Sequence, residues 1–201
     1  MTSTGFQRIG LTGGIGSGKS TLGRMLMTRG FALIDADAVS KTLTGKGGAA
    51  INAIRDAFGD SFIASDGSMD RNLMRQRVFS QPQAKAQLES ILHPLIRSTI
   101  EGQESAFKAK GKPLVILDIP LLTESAQWQQ ALDGIIVVDC SPARQMTRVI
   151  ARNGWTPQEV QAVMNAQASR EQRLACATWV IDNDSDDLQY LQQQADAWQP
   201  Y

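Results

Sequence analysis

The chain has 201 residues, which suits one globular domain with small inserted subdomains and excludes a large multidomain assembly. Its 20 basic and 20 acidic side chains cancel, so no overall positive field favours nucleic acid or an anionic membrane. No apolar run is long enough to span a bilayer, the N-terminus lacks a secretory pattern, and the two cysteines fit a reducing compartment, so we expect a cytoplasmic protein.

Five short apolar runs, rich in β-branched residues, alternate with segments of helical periodicity. They are residues 8–12, 31–35, 114–118, 135–139 and 178–182. This alternation predicts an α/β fold with a parallel sheet covered by helices on both faces, because strands buried on both faces are apolar throughout. Four of the runs end in aspartate, which would bring carboxylates to the ligand-binding edge of the sheet. These residues are Asp35, Asp118, Asp139 and Asp182.

Two segments interrupt the alternation. Residues 38–112 are too long for one crossover helix and predict a helical insertion, within which Pro94 must kink or restart a helix. The only histidine, His93, precedes this proline and is interpreted as pinning the helix break rather than as catalytic. After Asp139, two sets of start signals predict a helical hairpin of about 30 residues. They are Ser141 with Pro142, and Thr156 with Pro157 and Glu159.

The strongest chemical signal is the segment Gly-Gly-Ile-Gly-Ser-Gly-Lys-Ser at residues 13–20, which matches the Walker A spacing between a strand and a helix. Glycines let backbone N–H groups approach phosphate, and the helix that follows points its positive end at the same charge. The motif predicts ATP binding, with Lys19 at the β- and γ-phosphates, Ser20 as a ligand of Mg²⁺ and Thr21 at the α-phosphate. The predicted contacts of the nucleotide in this segment and directly after it are Gly14, Ile15, Gly16, Ser17, Gly18, Lys19, Ser20 and Thr21.

Two aspartates after the second apolar run are candidates for the chemistry of transfer. In extended geometry Asp35 and Asp37 would face the same side, where one of them could accept the proton of an acceptor hydroxyl. An equally open interpretation is that Asp37 is the N-cap of a helix that starts at Ala38. Asp118 is placed as a Walker B carboxylate that binds Mg²⁺ through water, with a turn before Pro120 as the alternative. The predicted metal ligands are Ser20, Asp35 and Asp118.

Arg144, Arg148 and Arg152 are four residues apart and would form one cationic stripe on a helix. Such a stripe is often a solvated face, but its position directly after a core strand favours a mobile lid, with Arg148 as the residue that contacts phosphate. Asn183 is predicted to meet the adenine base, although a turn is the default for its tripeptide.

The sequence resembles the dephospho-CoA kinase family over nearly its whole length. The resemblance is carried by residues 11–20, Ile34-Asp35-Ala36-Asp37, Leu92-His93-Pro94-Leu95, residues 120–124, Ala166-Gln167-Ala168-Ser169 and Val180-Ile181-Asp182-Asn183. The last fifteen or so residues have no counterpart.

This resemblance implies transfer of the ATP γ-phosphate to the 3′-hydroxyl of the ribose of dephospho-CoA. It implies a P-loop fold, a three-layer α/β/α arrangement around a five-stranded parallel sheet, in which residues 1–39, 112–140 and 170–201 form the nucleotide-binding core. It also implies an acceptor-binding helical insertion at residues 40–111 and a lid at residues 141–169. Asp37 corresponds to the family's proposed general base, Lys19 to its phosphate lysine and Arg148 to its lid arginine. A kinase for another small acceptor, such as a nucleoside monophosphate or shikimate, and a P-loop ATPase switch remain as alternatives.

Overall fold

A computed structural model of the chain describes residues 5–200, which contain a single five-stranded sheet. The strands are β1 (Gln7–Gly13), β2 (Ala32–Asp35), β3 (Leu114–Asp118), β4 (Gly134–Asp139) and β5 (Trp179–Asp182). They lie in the order β2-β3-β1-β4-β5, and β1 pairs in parallel with both β3 and β4 while β4 pairs in parallel with β5. The predicted α/β fold with a parallel sheet is confirmed.

Ten α-helices and a 3₁₀ turn at Asp60–Phe62 connect and flank the strands within the described part of the chain. The first five helices are α1 (Lys19–Thr28), α2 (Ala36–Leu43), α3 (Ile51–Phe58), α4 (Arg71–Ser80) and α5 (Pro82–Ala109). The others are α6 (Ala126–Gln130), α7 (Pro142–Asn153), α8 (Pro157–Ala166), α9 (Arg170–Ala175) and α10 (Leu188–Ala197). None of the helices in residues 5–200 combines the length and the apolar character needed to cross a bilayer.

The main core forms where α1 and α10 cover the central strands. Ile9 and Leu11 of β1 pack in one cluster with Leu22 of α1 and Leu191 of α10, and all four side chains are at most 1% exposed. Each fully buried side chain of this size contributes about 1.5–3 kcal/mol relative to an exposed one. The core therefore fixes the carboxyl end of β1 and the start of α1, between which the glycine-rich loop lies.

The chain divides into two compact units. One unit runs up to Ile34 and resumes at Phe107, so it contains β1, α1, most of β2 and everything from β3 onward. The other spans Asp35–Ala106 and holds α2, α3, α4 and most of α5.

In the long helix α5, a restart at Pro94 and a pin at His93 are both wrong, whereas a kink at Pro94 stays a prediction. α5 continues through Pro94 without restarting, and His93 is an exposed residue in the middle of that helix instead of a pin at a break. A proline removes one backbone hydrogen bond of a helix, but half-buried apolar side chains on both sides of it, Ile91 and Leu95, keep the helix packed.

The helix starts of the predicted hairpin are confirmed. Ser141 caps α7, whose first residue is Pro142, and Gly154 ends that helix in the left-handed region with φ of 69°. Thr156 and Glu159 form a reciprocal capping box at the start of α8. These short polar patterns specify the ends of both helices because each side chain satisfies backbone N–H groups that the helix leaves unpaired.

Candidate active site

The glycine-rich loop lies where β1 ends and α1 begins. Gly18 is the N-cap residue of α1 with φ of 94°, a value that disfavours any residue with a Cβ, and it supplies no side-chain cap. The first turn of α1 carries no acidic residue either. Most other helix starts in residues 5–200 are capped by Ser, Thr or Asp, as at α2, α4, α7 and α8. The uncapped amides and the positive end of α1 therefore suit the phosphates of a nucleotide.

Lys19, the first residue of α1, forms an ion pair with Asp118 at the end of β3. Both side chains are largely buried, with exposed fractions of 15% and 8%. The register of the sheet explains the contact, because Asp118 lies opposite Leu11 on β1, two residues before the loop. The structure thus brings together the predicted phosphate lysine and the predicted Walker B carboxylate.

Side chains from three distant segments brace the loop. The Ile15 amide donates to Gln167 Oε1 at 3.0 Å, and Asn183 Nδ2 donates to the Ser17 carbonyl at 2.6 Å. Gln145 on α7 is 2% exposed and donates to the Cys140 carbonyl at 2.7 Å, and its Oε1 leaves no room for a side chain on Gly14. The structure therefore gives Asn183 a loop-bracing contact, while its contact with adenine stays a prediction.

Sequence reasoning missed the loop contacts of Gln145 and Gln167. Gln167 had a signal, since it belongs to the Ala166-Gln167-Ala168-Ser169 segment that supports the family resemblance. Gln145 had a weaker one: it is a polar residue four positions before Val149, on the buried face of α7. A buried polar side chain needs hydrogen-bond partners, and the Cys140 carbonyl after β4 supplies one here.

The predicted arginine stripe lies on α7, where two of its members contact the segment that follows β5. Arg144 forms ion pairs with Asp184 and Asp186, whereas Arg148 donates to the Ser185 carbonyl and to Cys140 Sγ, the latter at 3.6 Å. Burial raises the pKa of the Cys140 thiol to about 11, so this thiol is protonated at neutral pH. The role of Arg148 at phosphate stays a prediction.

Helix α9 brings two more arginines to the carboxyl edge of the sheet. Arg170 donates twice to Asp139 at the end of β4, with distances of 2.9 and 2.6 Å, and this hydrogen-bonded pairing holds the pKa of Asp139 below its ordinary value. Arg173 lies beside Gly14, where a Cβ built on the glycine would be 3.0 Å from Arg173 Nη2. The guanidinium group of this second arginine therefore lies next to the loop.

The structure corrects the interpretation of Asp35 and Asp37. Asp35, not Asp37, is the N-cap of α2: its Oδ1 accepts from the Ala38 amide at 2.9 Å, and the helix starts at Ala36. The extended geometry expected from Asp35 to Asp37 is therefore wrong, and Asp37 is an exposed residue of the first helical turn. The cap falls on Asp35 because its extended backbone lets the carboxylate reach the amide three residues ahead.

The predicted magnesium ligands offer oxygen atoms, which is the chemistry that Mg²⁺ prefers. Ser20 presents an exposed hydroxyl in the first turn of α1, and Asp118 a carboxylate beside Lys19. The donor set therefore fits Mg²⁺ held mainly by nucleotide phosphates and water.

A parallel sheet in this strand order, with a Walker A loop between β1 and an uncapped α1, defines a nucleotide-binding protein of the P-loop kinase class. Comparisons with known proteins are more specific. The sequence profile described as dephospho-CoA kinase matches residues 7–189. The dephospho-CoA kinase of Albidiferax ferrireducens is 47% identical over 181 residues, which cover 90% of this chain and 85% of that protein. The chain belongs to the dephospho-CoA kinase family.

Solved structures agree with the fold. A protein from Thermus thermophilus is similar with a TM-score of 0.84 and 32% identity, covering 95% of this chain and 94% of that chain. A dephospho-CoA kinase from Campylobacter jejuni has the same fold, with a TM-score of 0.69 and 24% identity over 94% of this chain and 93% of that one.

Proposed function

We propose that this chain is a kinase that transfers the γ-phosphate of ATP to the 3′-hydroxyl of the ribose of dephospho-CoA, giving CoA and ADP. The observation that carries the proposal is the braced phosphate loop with its uncapped helix start, in a chain 47% identical to a dephospho-CoA kinase over 90% of its length. Family membership does not favour a nucleoside monophosphate or shikimate as the acceptor. We place the reaction in the cytoplasm, which suits two free cysteines.

In this reaction the loop amides bind the phosphates of ATP, together with the side chains of Ser20 and Thr21. Lys19 is paired with Asp118 beside the loop and moves its ammonium group to the β- and γ-phosphates when ATP binds. Mg²⁺ supplies charge neutralisation on those phosphates when bound, with Ser20, Asp118 and Asp35 as its protein-side oxygen donors. Arg148 contributes a further positive charge from α7.

Asp37 is the residue that we propose to orient the acceptor hydroxyl and to accept its proton. It is exposed and its side chain is not used as the helix cap, since Asp35 has that role. A carboxylate within hydrogen-bond reach of a hydroxyl can orient it and accept its proton, which is the role that Asp37 has in this proposal.

In this proposal, separate regions of the chain bind the acceptor, form the lid and bind the nucleotide. We propose that residues 40–111, which fall mainly in the second compact unit, bind the acceptor, and that residues 141–169 form the lid. The remainder, residues 1–39, 112–140 and 170–201, carries the nucleotide.

The experiment that tests the proposal measures ADP formation from Mg·ATP, alone and with dephospho-CoA, AMP or shikimate in parallel. We expect dephospho-CoA alone to stimulate, and the product to carry its new phosphate on the 3′-oxygen, as ³¹P NMR or mass spectrometry of the product can establish. Stimulation by another acceptor would replace the substrate assignment, and persistent acceptor-independent hydrolysis would point to an ATPase. A Lys19→Met variant serves as the control for contaminating activity.

A further inference from the structure

Arg173 is placed against the phosphate loop although neither the Walker A motif nor the predicted lid includes it. A Cβ built on Gly14 would lie 3.0 Å from Nη2 and 3.2 Å from Cζ of Arg173, so the guanidinium group occupies the space next to the loop backbone at Gly14. The residue is half-buried, which limits the positions that its side chain can adopt.

The other arginines near this edge of the sheet have ionic or several polar partners. Arg144 and Arg170 form ion pairs with aspartates, and Arg148 donates to Ser185 and Cys140. Arg173 donates from Nη1 to the neutral carbonyl of Ala168, and among residues 5–200 no carboxylate lies within ion-pairing distance of it.

The electrostatic surroundings of Arg173 favour the arrival of an anion. Burial lowers the pKa of its guanidinium, while the more distant carboxylates of Glu124, Asp139 and Glu171 oppose that effect. The group stays cationic at neutral pH because arginine is not deprotonated in proteins. A partly desolvated cation without an ionic partner is stabilised when an anion binds beside it.

A turn at residues 167–169 holds Arg173 in this position. Gln167 Oε1 accepts from the Ile15 amide at 3.0 Å, and the Ala168 amide donates to Glu124 Oε1 at 2.7 Å. Ser169 opens α9 with a reciprocal capping box. The carbonyl that binds Arg173 is therefore tied to the phosphate loop and to the segment after β3.

We propose that Arg173 is a further catalytic residue, whose guanidinium contacts the γ-phosphate of ATP and stabilises the charge that spreads over the transferring phosphoryl group. In that step the bond from Pγ to the β,γ-bridging oxygen breaks, the acceptor oxygen bonds to Pγ, and the hydroxyl proton passes to Asp37. Arg173 keeps its own protons throughout. The inference rests on the proposed kinase function.

The test compares Arg173→Gln and Arg173→Lys with the unaltered chain and with Lys112→Gln, a control that removes a positive charge before the start of β3, at the end of the strands opposite the phosphate loop. For Arg173→Gln we expect kcat to fall by about 10²- to 10³-fold, the range seen when one charge-stabilising donor is removed. We expect the Kd for ADP to change by less than about threefold, since ADP lacks the transferring group. Arg173→Lys should recover part of kcat, because lysine keeps the charge but not the planar fork.

A second measurement separates catalysis from positioning. Binding of ADP with aluminium fluoride, Mg²⁺ and dephospho-CoA mimics the transferring state, and its gain in affinity over ADP alone should be lost in Arg173→Gln and kept in Lys112→Gln. If that gain and kcat survive while ADP affinity and Tm fall together, Arg173 only positions the loop and the proposal is wrong. If dephospho-CoA does not stimulate the unaltered chain, the proposed kinase function is wrong. The contact of Arg173 with phosphate is then tested by ATP hydrolysis alone: slower hydrolysis by Arg173→Gln would support the contact, and unchanged hydrolysis would overturn it.

Discussion

Replacing Asn183 tests whether the phosphate loop depends on side chains from outside the Walker A motif. Asn183 Nδ2 donates to the Ser17 carbonyl at 2.6 Å, and the asparagine is 6% exposed. An Asn183→Ala substitution leaves that carbonyl without its donor in a place where water has little access. Leaving a buried polar group unsatisfied costs about 1–3 kcal/mol.

The expected changes follow from that figure. For a chain of this length 1 kcal/mol corresponds to about 2–4 °C in Tm, so we expect a decrease of roughly 2–12 °C. The Ser17 peptide belongs to the loop, so losing its hydrogen bond also destabilises the loop conformation that binds phosphate. If that conformation is destabilised by about 1.4 kcal/mol, ATP binds about tenfold more weakly. Asn183→Asp should weaken ATP binding further, since it places a carboxylate beside the phosphate site.

Thermal unfolding and calorimetric titration with ATP measure the two effects. Asn52→Ala is a matched control, because Asn52 is exposed and its side chain accepts one hydrogen bond, from Arg55. We expect that control to leave ATP affinity unchanged. If Asn183→Ala kept both its Tm and its ATP affinity, the bracing of the loop by this side chain would be refuted.

Three further predictions concern other parts of the site. Asp37→Asn should lower kcat by about 10²- to 10⁴-fold with ATP affinity retained, as measured by steady-state kinetics and titration; near-normal turnover would exclude Asp37 as the base. Lys19→Met should weaken ATP binding and turnover and also destabilise the ligand-free protein by about 3 kcal/mol, measured by urea unfolding, because Asp118 loses a largely buried partner. Arg170 lowers the folded-state pKa of Asp139, so this pair stabilises the fold above about pH 4 and the contribution disappears as the pH falls through the lowered value. A double-mutant cycle of Asp139→Asn and Arg170→Gln should therefore show coupling at pH 7 that declines toward pH 2.5, and coupling independent of pH would contradict it.

The strands and the phosphate loop were predictable because their signals are local. Five apolar runs became five strands, with ends that moved by at most one residue, and the cap residues Ser141 and Thr156 start α7 and α8 as expected. Each of these signals acts within a few residues: burial on two faces selects β-branched residues, and a capping side chain reaches only the first turn of its own helix.

Two errors arose where neighbouring signals compete. Asp35 and Asp37 are both good caps, and only the backbone of Asp35, extended with ψ of 109°, decides which one caps α2. Pro94 is a strong local signal for a break, yet the apolar side chains before and after it keep α5 continuous over 28 residues. Backbone geometry thus decides which aspartate caps α2, and the continuity of α5 overrides the local preference of Pro94 for a break.

The bracing of the loop could not be predicted because it links residues far apart in the chain. The contact of Ile15 with Gln167 spans 152 positions, and that of Ser17 with Asn183 spans 166. Glutamine and asparagine are ordinary surface residues, so composition does not distinguish these two from the exposed ones. Only the fold, which brings α7, the turn before α9 and the end of β5 to the carboxyl end of β1, reveals them.

These same contacts limit how a lid at residues 141–169 can move. At its start, Ser141 donates to Asp184 at 2.7 Å, and Gln145 and Val149 are buried against the loop. At its end, Gln167 accepts from Ile15 and the Ala168 amide donates to Glu124. Both ends are thus tied to the glycine-rich loop or to the segments that follow β3 and β5, and a closing motion that preserved these contacts would involve only the stretch between Val149 and Gln167. Arg148 lies in the fixed part of α7, so it would act on phosphate from a stationary helix rather than arrive with the moving tip.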